Sequence, residues 1–193
     1  MKTHRLLLLT SAVLAVGALL ALIRTPDAHA AAAKPAADTL LKNVQKGGLQ
    51  FKSIGSMNFG PQGILLVAEP AAASLVAIDT GDTGPVQRLK QKVEDVASVL
   101  AARVGAPDGG VQIVDLTVNP VSGKTYFAVT RKADKQIAIL VVDADGKVSD
   151  LALDKAAWVR VPLPAADGAK INSITDVAFA KDRVLAAGQS SEE

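Results

Sequence analysis

Two aspartates, Asp115 and Asp176, occupy the same place in two similar segments of the sequence, and their carboxylates are the groups best suited to chemistry. Carboxylates that recur at one place in repeated units provide oxygen ligands, which suit Ca²⁺ or another divalent cation. The alternative is structural: each aspartate accepts hydrogen bonds from backbone N–H groups and fastens one unit to the next. We therefore take Asp115 and Asp176 as candidate binding residues and assign no catalytic residue.

Other acidic residues lie in turn sequences. The run Asp143-Ala144-Asp145-Gly146 is similar to the start of a calcium loop, but Asp154 stands where such a loop needs its twelfth-position Glu. A β-hairpin turn is the better interpretation. Asp79 and Asp82, on either side of Gly81, also indicate a turn, and Asn119 is expected to cap a turn before Pro120.

Several kinds of site are excluded by composition. The chain has no cysteine, and its two histidines are His4 and His29, so a Ser-His-Asp triad or a common zinc site is excluded beyond residue 30. A phosphate-binding glycine loop and a Gly-x-Ser-x-Gly elbow are also missing. Trp158 is one of few aromatic residues, and packing at an edge or in a loop is favoured over ligand contact.

The positive charge of the chain comes from its first 30 residues. With Lys2, Arg5, Arg24 and Asp27 set aside, 18 basic and 18 acidic residues remain. The rest of the chain is therefore neutral, and nucleic acid is not an expected partner.

Three segments share a layout, and they begin at Ile54, Ile113 and Ile174, 59 and 61 residues apart. Each predicts a strand, a tight turn rich in Gly, Pro, Asn or Asp, and a second strand. The second unit predicts four strands: 113–118, 125–130, 136–142 and 147–153. The first predicts three, at 51–59, 64–69 and 74–79, and the third predicts two.

One helix interrupts this period. Apolar residues at Leu89, Val93, Val96, Leu100 and Val104 form one stripe and predict an amphipathic helix over 88–104. Its charged face has two interpretations, a partner surface or, as we favour, a solvated face of a helix packed on the sheet.

The N-terminus has the order of a secretory signal. A positive segment, 1–5, precedes 18 uncharged residues, 6–23, and a polar region that ends Ala28-His29-Ala30. This order predicts a signal helix in residues 1–30 with cleavage after Ala30, and therefore a periplasmic or secreted bacterial protein. An uncleaved membrane anchor is the alternative. Contact with the membrane is expected through this segment alone. Residues 31–48 are predicted to be a linker and a short helix, over 38–46, stopped by Gly47-Gly48.

The segments 113–129 and 174–188 resemble repeat β-propellers of the NHL, YVTN and SMP-30-like type. The shared motif is an apolar-x-Asp-apolar strand, a hairpin with Gly or Asp, and a second apolar strand; the first unit departs from it with Ser56. The resemblance implies blades of four antiparallel strands whose first strands line a central channel. It also implies that a divalent metal, as in SMP-30-like hydrolases, is compatible with Asp115 and Asp176.

The fold expected is therefore all-β: an incomplete β-propeller over 49–193, with units near 49–87, 111–153 and 172–193. About two and a half blades are predicted, as the N-terminal fragment of a longer ring, because a propeller needs four to eight. A β-sandwich with one helix is the alternative.

Three functions follow. The first is an exported propeller that binds a small molecule or a protein, with no cofactor evident. The second is a metal-dependent hydrolase of esters or lactones whose site lies mostly in further blades. The third is a structural protein of the cell envelope.

Overall fold

The computed structural model describes residues 41–165 and 169–192, and these form eleven β-strands and one α-helix. The strands are β1 (Gln45–Lys46), β2 (Met57–Phe59), β3 (Ile64–Glu69), β4 (Ser74–Asp79), β5 (Val111–Val118), β6 (Thr125–Arg131), β7 (Ile137–Val142), β8 (Val148–Asp150), β9 (Ala157–Pro162), β10 (Ala169–Ala180) and β11 (Arg183–Glu192), and the helix is α1 (Val96–Arg103). The all-β prediction is confirmed. The predicted signal helix lies outside the described residues.

The strands form three antiparallel sheets. Sheet A has five strands in the order β1-β9-β4-β3-β2, sheet B has four in the order β5-β6-β7-β8, and sheet C is the β10–β11 hairpin. Sheet B follows the chain order because short hairpin turns join its strands. One of these is the predicted turn at 143–146, where Asp143 Oδ1 accepts hydrogen bonds from Asp145 N and Lys147 N, both at 2.9 Å.

Sheet A is completed by a strand from a distant part of the sequence. β3 and β4 have the predicted bounds, but the strand beside β4 is β9, which follows sheet B in the chain. Trp158 therefore lies inside a sheet and is 6% exposed, where an edge or loop position was expected. Its indole Nε1 donates to Gly47 O at 2.9 Å, so the N–H of this buried ring has a backbone hydrogen-bond partner.

The three sheets form layers with sheet A in the middle. Met57, Phe59 and Val67 of sheet A share one apolar cluster with Tyr126 and other buried residues of sheet B. The opposite face of sheet A packs against sheet C in a second cluster. The two faces of β3 are therefore both covered, which explains why all six of its residues are buried.

The predicted amphipathic helix over 88–104 is wrong in its first half, because α1 begins only at Val96. Asp95 caps it, and its Oδ1 accepts from Ser98 N at 3.2 Å. In the preceding segment Lys90 N donates to Ala144 O at 2.9 Å. This backbone is therefore bonded to a turn of sheet B. The apolar side of α1 does pack on sheet B, where Leu100 is fully buried.

The predicted short helix over 38–46 also differs from the structure. Residues 38–40 lie outside the described part, while Gln45 and Lys46 form β1 and pair with Trp158 and Ala157. Pairing with β9 supplies the backbone partners that a helix would have supplied, and Gly47, at φ +68°, turns the chain away.

Candidate functional site

The strands that begin the three units carry the same irregularity. In sheet A, Gly55 N donates to Ala68 O and Ser56 O accepts from Ala68 N, so two residues face one. The pairing of β5 shifts in the same way before Asp115, and that of β10 shifts before Asp176. Each shift is a β-bulge, which re-aims the side chain beside it. Ser56, Asp115 and Asp176 thus occupy equivalent places in three sheets.

Asp115 joins two sheets. Its Oδ2 accepts a hydrogen bond from Met57 N at 2.6 Å, so a carboxylate on β5 contacts the first residue of β2. The side chain is half-buried between the sheets. Hydrogen bonds to an ionised acceptor are stronger than those between neutral groups. Asp115 therefore holds sheet B on sheet A, in the manner of the structural alternative.

Asp176 has a different setting. It is exposed, and its Oδ1 accepts from Val177 N at 2.8 Å within its own strand. Val177 is buried against sheet A. Asp176 is the residue before it on the strand, so its side chain faces away from that sheet. Sheet A thus lies between the two candidate binding residues, and the structure does not bring them together. Within residues 41–165 and 169–192, no group of three or more His, Cys, Asp or Glu side chains is placed to hold a metal.

Ser56 is the third member of this set, and its hydroxyl is buried without a hydrogen-bond partner among the described residues. Ala68, opposite Ser56, belongs to the cluster between sheets A and C. Ser56 therefore faces sheet C as Asp115 faces sheet A. Its side chain is too short to repeat the bond that Asp115 makes.

Asp82, a buried carboxylate that was predicted only to lie in a turn, is the centre of a dense polar cluster. It is 8% exposed. Its Oδ2 accepts from Ser122 Oγ, Asn119 Nδ2 at 2.9 Å and Tyr126 OH at 3.0 Å, and its Oδ1 accepts from Lys124 Nζ at 3.0 Å. The loop after β4 is thereby fixed to the turn between β5 and β6.

The electrostatics of this cluster follow from its donors. Burial opposes ionisation of Asp82, but four side-chain hydrogen bonds outweigh burial and hold the pKa of Asp82 below its ordinary value of 3.8. Burial and the charge of Asp82 raise the pKa of Tyr126 above its ordinary value of 10.0. Both oxygens of Asp82 are occupied, so the cluster fixes a loop and leaves no free base.

The sequence does contain a signal for this cluster. Ser122, Lys124 and Tyr126 alternate with a period of two, which places three donors on one side of an extended segment. Asn119 also plays its predicted part, since its Oδ1 accepts from Val121 N at 2.9 Å in the turn. This pattern does not identify the acceptor of the three donors, because Asp82 lies 40 residues before Ser122 in the chain.

A second buried carboxylate, Glu69, stabilises sheet A. Its Oε2 accepts from Arg160 Nε at 2.7 Å, and its Oε1 accepts from Lys52 N at 2.7 Å. The guanidinium of Arg160 also lies 5.2 Å from the centre of the Trp158 ring, a cation–π contact. Arg160 therefore has a structural role, and its charge is balanced by the carboxylate of Glu69.

A cleft with a volume of about 700 Å³ lies beside sheet A and the turn end of sheet C. Its floor includes Ile64, Leu66 and Val159, and Phe179 is another apolar residue of its lining. Lys42 also lines the cleft; it is exposed and makes no ion pair with any described residue. As far as the described residues show, the cleft thus combines apolar walls with a lysine that has no ion-pair partner. A second cleft of about 370 Å³ continues along the same seam.

Among the described residues, the structure contains no helix that is both long and apolar enough to cross a membrane. Comparisons of the whole chain with family models, with curated proteins and with solved structures each find no match.

Proposed function

We propose that this chain is an exported binding module of the β-propeller type. The layered sheets support this: β2 has β5 on one side and β10 on the other, so the first strands of the three units are neighbours. Propellers place their first strands in this way around a centre. Export is supported by the order of charged, apolar and small residues in 1–30.

The observation that carries the binding function is the 700 Å³ cleft between sheets A and C. Binding sites for small molecules are concave and mostly apolar, with a few polar groups that orient the ligand. The cleft fits this description in volume and in lining. It is also built on the rigid face of sheet A, whose floor residues Ile64 and Leu66 are buried strand residues.

The charge at the rim selects the class of ligand. Lys42 lines the cleft beside the apolar floor and has no ion pair with any described residue, while Asp182 pairs with Arg183 at 3.2 Å. An apolar molecule with an anionic end therefore gains burial from the floor and an ion pair from Lys42. We infer that the module binds a small amphiphilic anion.

Two fluorescent probes test this inference. One, 1-anilinonaphthalene-8-sulfonate, has an apolar aromatic body and a sulfonate; the other, N-phenyl-1-naphthylamine, has the same body without charge. We expect saturable binding of both, and we expect Lys42→Ala to weaken the sulfonate about tenfold while it leaves the neutral probe unchanged. Equal loss for both probes would contradict the role of Lys42.

The cleft itself is tested with Val161→Lys. Val161 lines the cleft and is 50% exposed, so a lysine there places a charge in the cleft without disturbing the core. Binding of the neutral probe should be lost. The matched control is Val86→Lys, at a position 64% exposed and outside the cleft, which should bind as the wild type does. Unchanged binding in both variants would rule out the cleft.

A further inference from the structure

The stack of sheets has two open faces, and the two are different. Sheet A is covered on both sides. The helix side of sheet B is covered by α1 over β6 and β7, where Phe127, Val129 and Leu140 pack on Leu100. α1 also contacts the first strand, β5, but Leu116 and Val118 of β5 stay exposed on that side. At the other end, the face of sheet C that is turned away from sheet A has no covering layer among the described residues.

The open side of β5 carries apolar residues where its counterparts are packed. One and three positions after the bulge residue, β2 has Met57 and Phe59, which pack on sheet B. β10 has Val177 and Phe179 at the same positions, and these pack on sheet A. The equivalent residues of β5, Leu116 and Val118, are 53% and 49% exposed.

The open face of sheet C carries exposed residues at the positions where sheet B packs on sheet A. In sheet B, the face that receives sheet A presents Asp115, Tyr126 and Ala128, and the last two are buried. Sheet pairing places Ala187 opposite Asp176 and Leu185 opposite Ala178. Leu185 and Ala187 therefore hold the places of Tyr126 and Ala128. They are exposed, Leu185 by 50%.

We propose that a second copy of this chain covers both open faces. Leu116 and Val118 of each copy pack on Leu185 and Ala187 of the other, and Asp176 accepts a hydrogen bond from the backbone N–H of Leu116 in the other copy. This bond repeats the bond from Met57 N to Asp115 Oδ2, at 2.6 Å, within one chain. The contact is head to tail, and two such contacts close two copies into a ring.

Two interfaces that already exist within the chain identify a second copy as the partner for these faces. Sheet C on sheet A and sheet A on sheet B use the same positions in the same order, so sheet B on sheet C of another copy continues one pattern. The sheets described in two copies then number six, within the four to eight that propellers use. The open strip of sheet B is narrow because α1 covers the rest, and sheet C, with two strands, is the narrowest sheet described.

This inference is independent of the proposed cleft, since neither Leu116, Val118, Asp176 nor Leu185 lines it. Sedimentation velocity of the purified chain, over a range of concentrations, should show a dimer. Leu116→Lys and Leu185→Lys should each weaken dimerisation at least about tenfold. Both leucines are exposed in the single chain. The monomer of each variant should therefore have the same melting temperature as the wild-type monomer. Val86→Lys is the control and should remain dimeric.

A mixture of the two variants distinguishes the head-to-tail contact from a symmetric contact between two identical faces. Leu116→Lys retains an intact sheet C face, and Leu185→Lys retains an intact β5 face, so the mixture should form a dimer through one undamaged contact. A wild-type chain that is monomeric at all concentrations would overturn the proposal. So would a dimer that only one of the two variants disrupts, a mixture that stays monomeric, or assemblies larger than two copies.

Discussion

Asp115 on β5 and Met57 on β2 lie 58 positions apart in the chain, and the carboxylate Oδ2 of the first accepts the backbone N–H of the second at 2.6 Å. This single bond spans the boundary between sheets B and A. It explains why an aspartate follows the bulge in β5: the bulge directs the carboxylate out of its own sheet, toward the unpaired N–H at the start of a strand in the next sheet.

Removal of this bond should destabilise the chain. Asp115→Ala leaves Met57 N without its acceptor in a half-buried place, and we expect a loss of about 1–2 kcal/mol in the free energy of unfolding. Urea unfolding followed by the fluorescence of Trp158 measures it, because Trp158 is the only tryptophan.

The matched control for this prediction is Ser56→Ala. Ser56 occupies the equivalent place in sheet A, but its buried hydroxyl has no partner in the part of the chain that the structure describes, so its removal breaks no hydrogen bond there. The free energy of unfolding should stay within about 0.5 kcal/mol of wild type or rise. A greater loss for Ser56→Ala than for Asp115→Ala would contradict the roles assigned to the two bulges.

Acid stability should depend on Asp82. Its pKa is lowered in the folded state, so its contribution is complete above the ordinary value of 3.8 and is lost as the pH falls through the lower folded value. Asp82→Asn should cost about 2–3 kcal/mol at neutral pH, because a buried charged acceptor is removed from four donors. It should also flatten the fall in stability between about pH 5 and pH 2.

The control for Asp82 is Asp154→Asn, at an exposed position. This variant should follow the wild-type curve of unfolding free energy against pH. If Asp82→Asn and wild type lose stability in parallel below pH 4, the hydrogen bonds to Asp82 do not provide the acid dependence.

Tyr126 should resist ionisation in the folded chain. Its pKa is raised by burial and by the charge of Asp82, so the neutral hydroxyl stabilises the fold below about pH 10 and this contribution is lost as the pH rises further. Tyr126 is the only tyrosine, so absorbance at 295 nm reports this residue alone. The tyrosinate signal should be absent from folded protein at pH 10.5 and present in urea. Its appearance at pH 10 in folded protein would show that the hydroxyl is open to solvent.

Processing of the N-terminus tests the export proposal. Intact mass of the protein recovered from outside the cytoplasm should correspond to a chain that begins at Ala31. Ala30→Leu places a large residue at the proposed cleavage position and should accumulate the precursor, whereas Ala32→Leu, two residues beyond the site, should be processed normally. Recovery of wild-type protein that still carries residues 1–30 would identify the segment as an anchor.

Local sequence patterns were sufficient for the elements whose partners are near in the chain. β3 and β4 have the bounds predicted from their apolar runs, and the turn at 143–146 forms as its Asp and Gly residues indicate. Such hairpins are specified by residues a few positions apart. The first half of the predicted helix over 88–104 and the described end of the predicted helix over 38–46 did not form, for the opposite reason. There the backbone bonds to distant groups, to Ala144 O in one case and to β9 in the other.

The sequence by itself determined the class of fold and the matching positions of Asp115 and Asp176 in two similar segments. It also excluded cysteine and histidine chemistry beyond residue 30. These properties depend on composition and on short-range periodicity. Only the tertiary structure decided that β9 completes sheet A, that Asp82 meets its donors, and that Asp115 and Asp176 lie on different layers. These relationships join residues tens of positions apart. They are fixed by which apolar faces are buried against each other, and a one-dimensional pattern does not record that pairing.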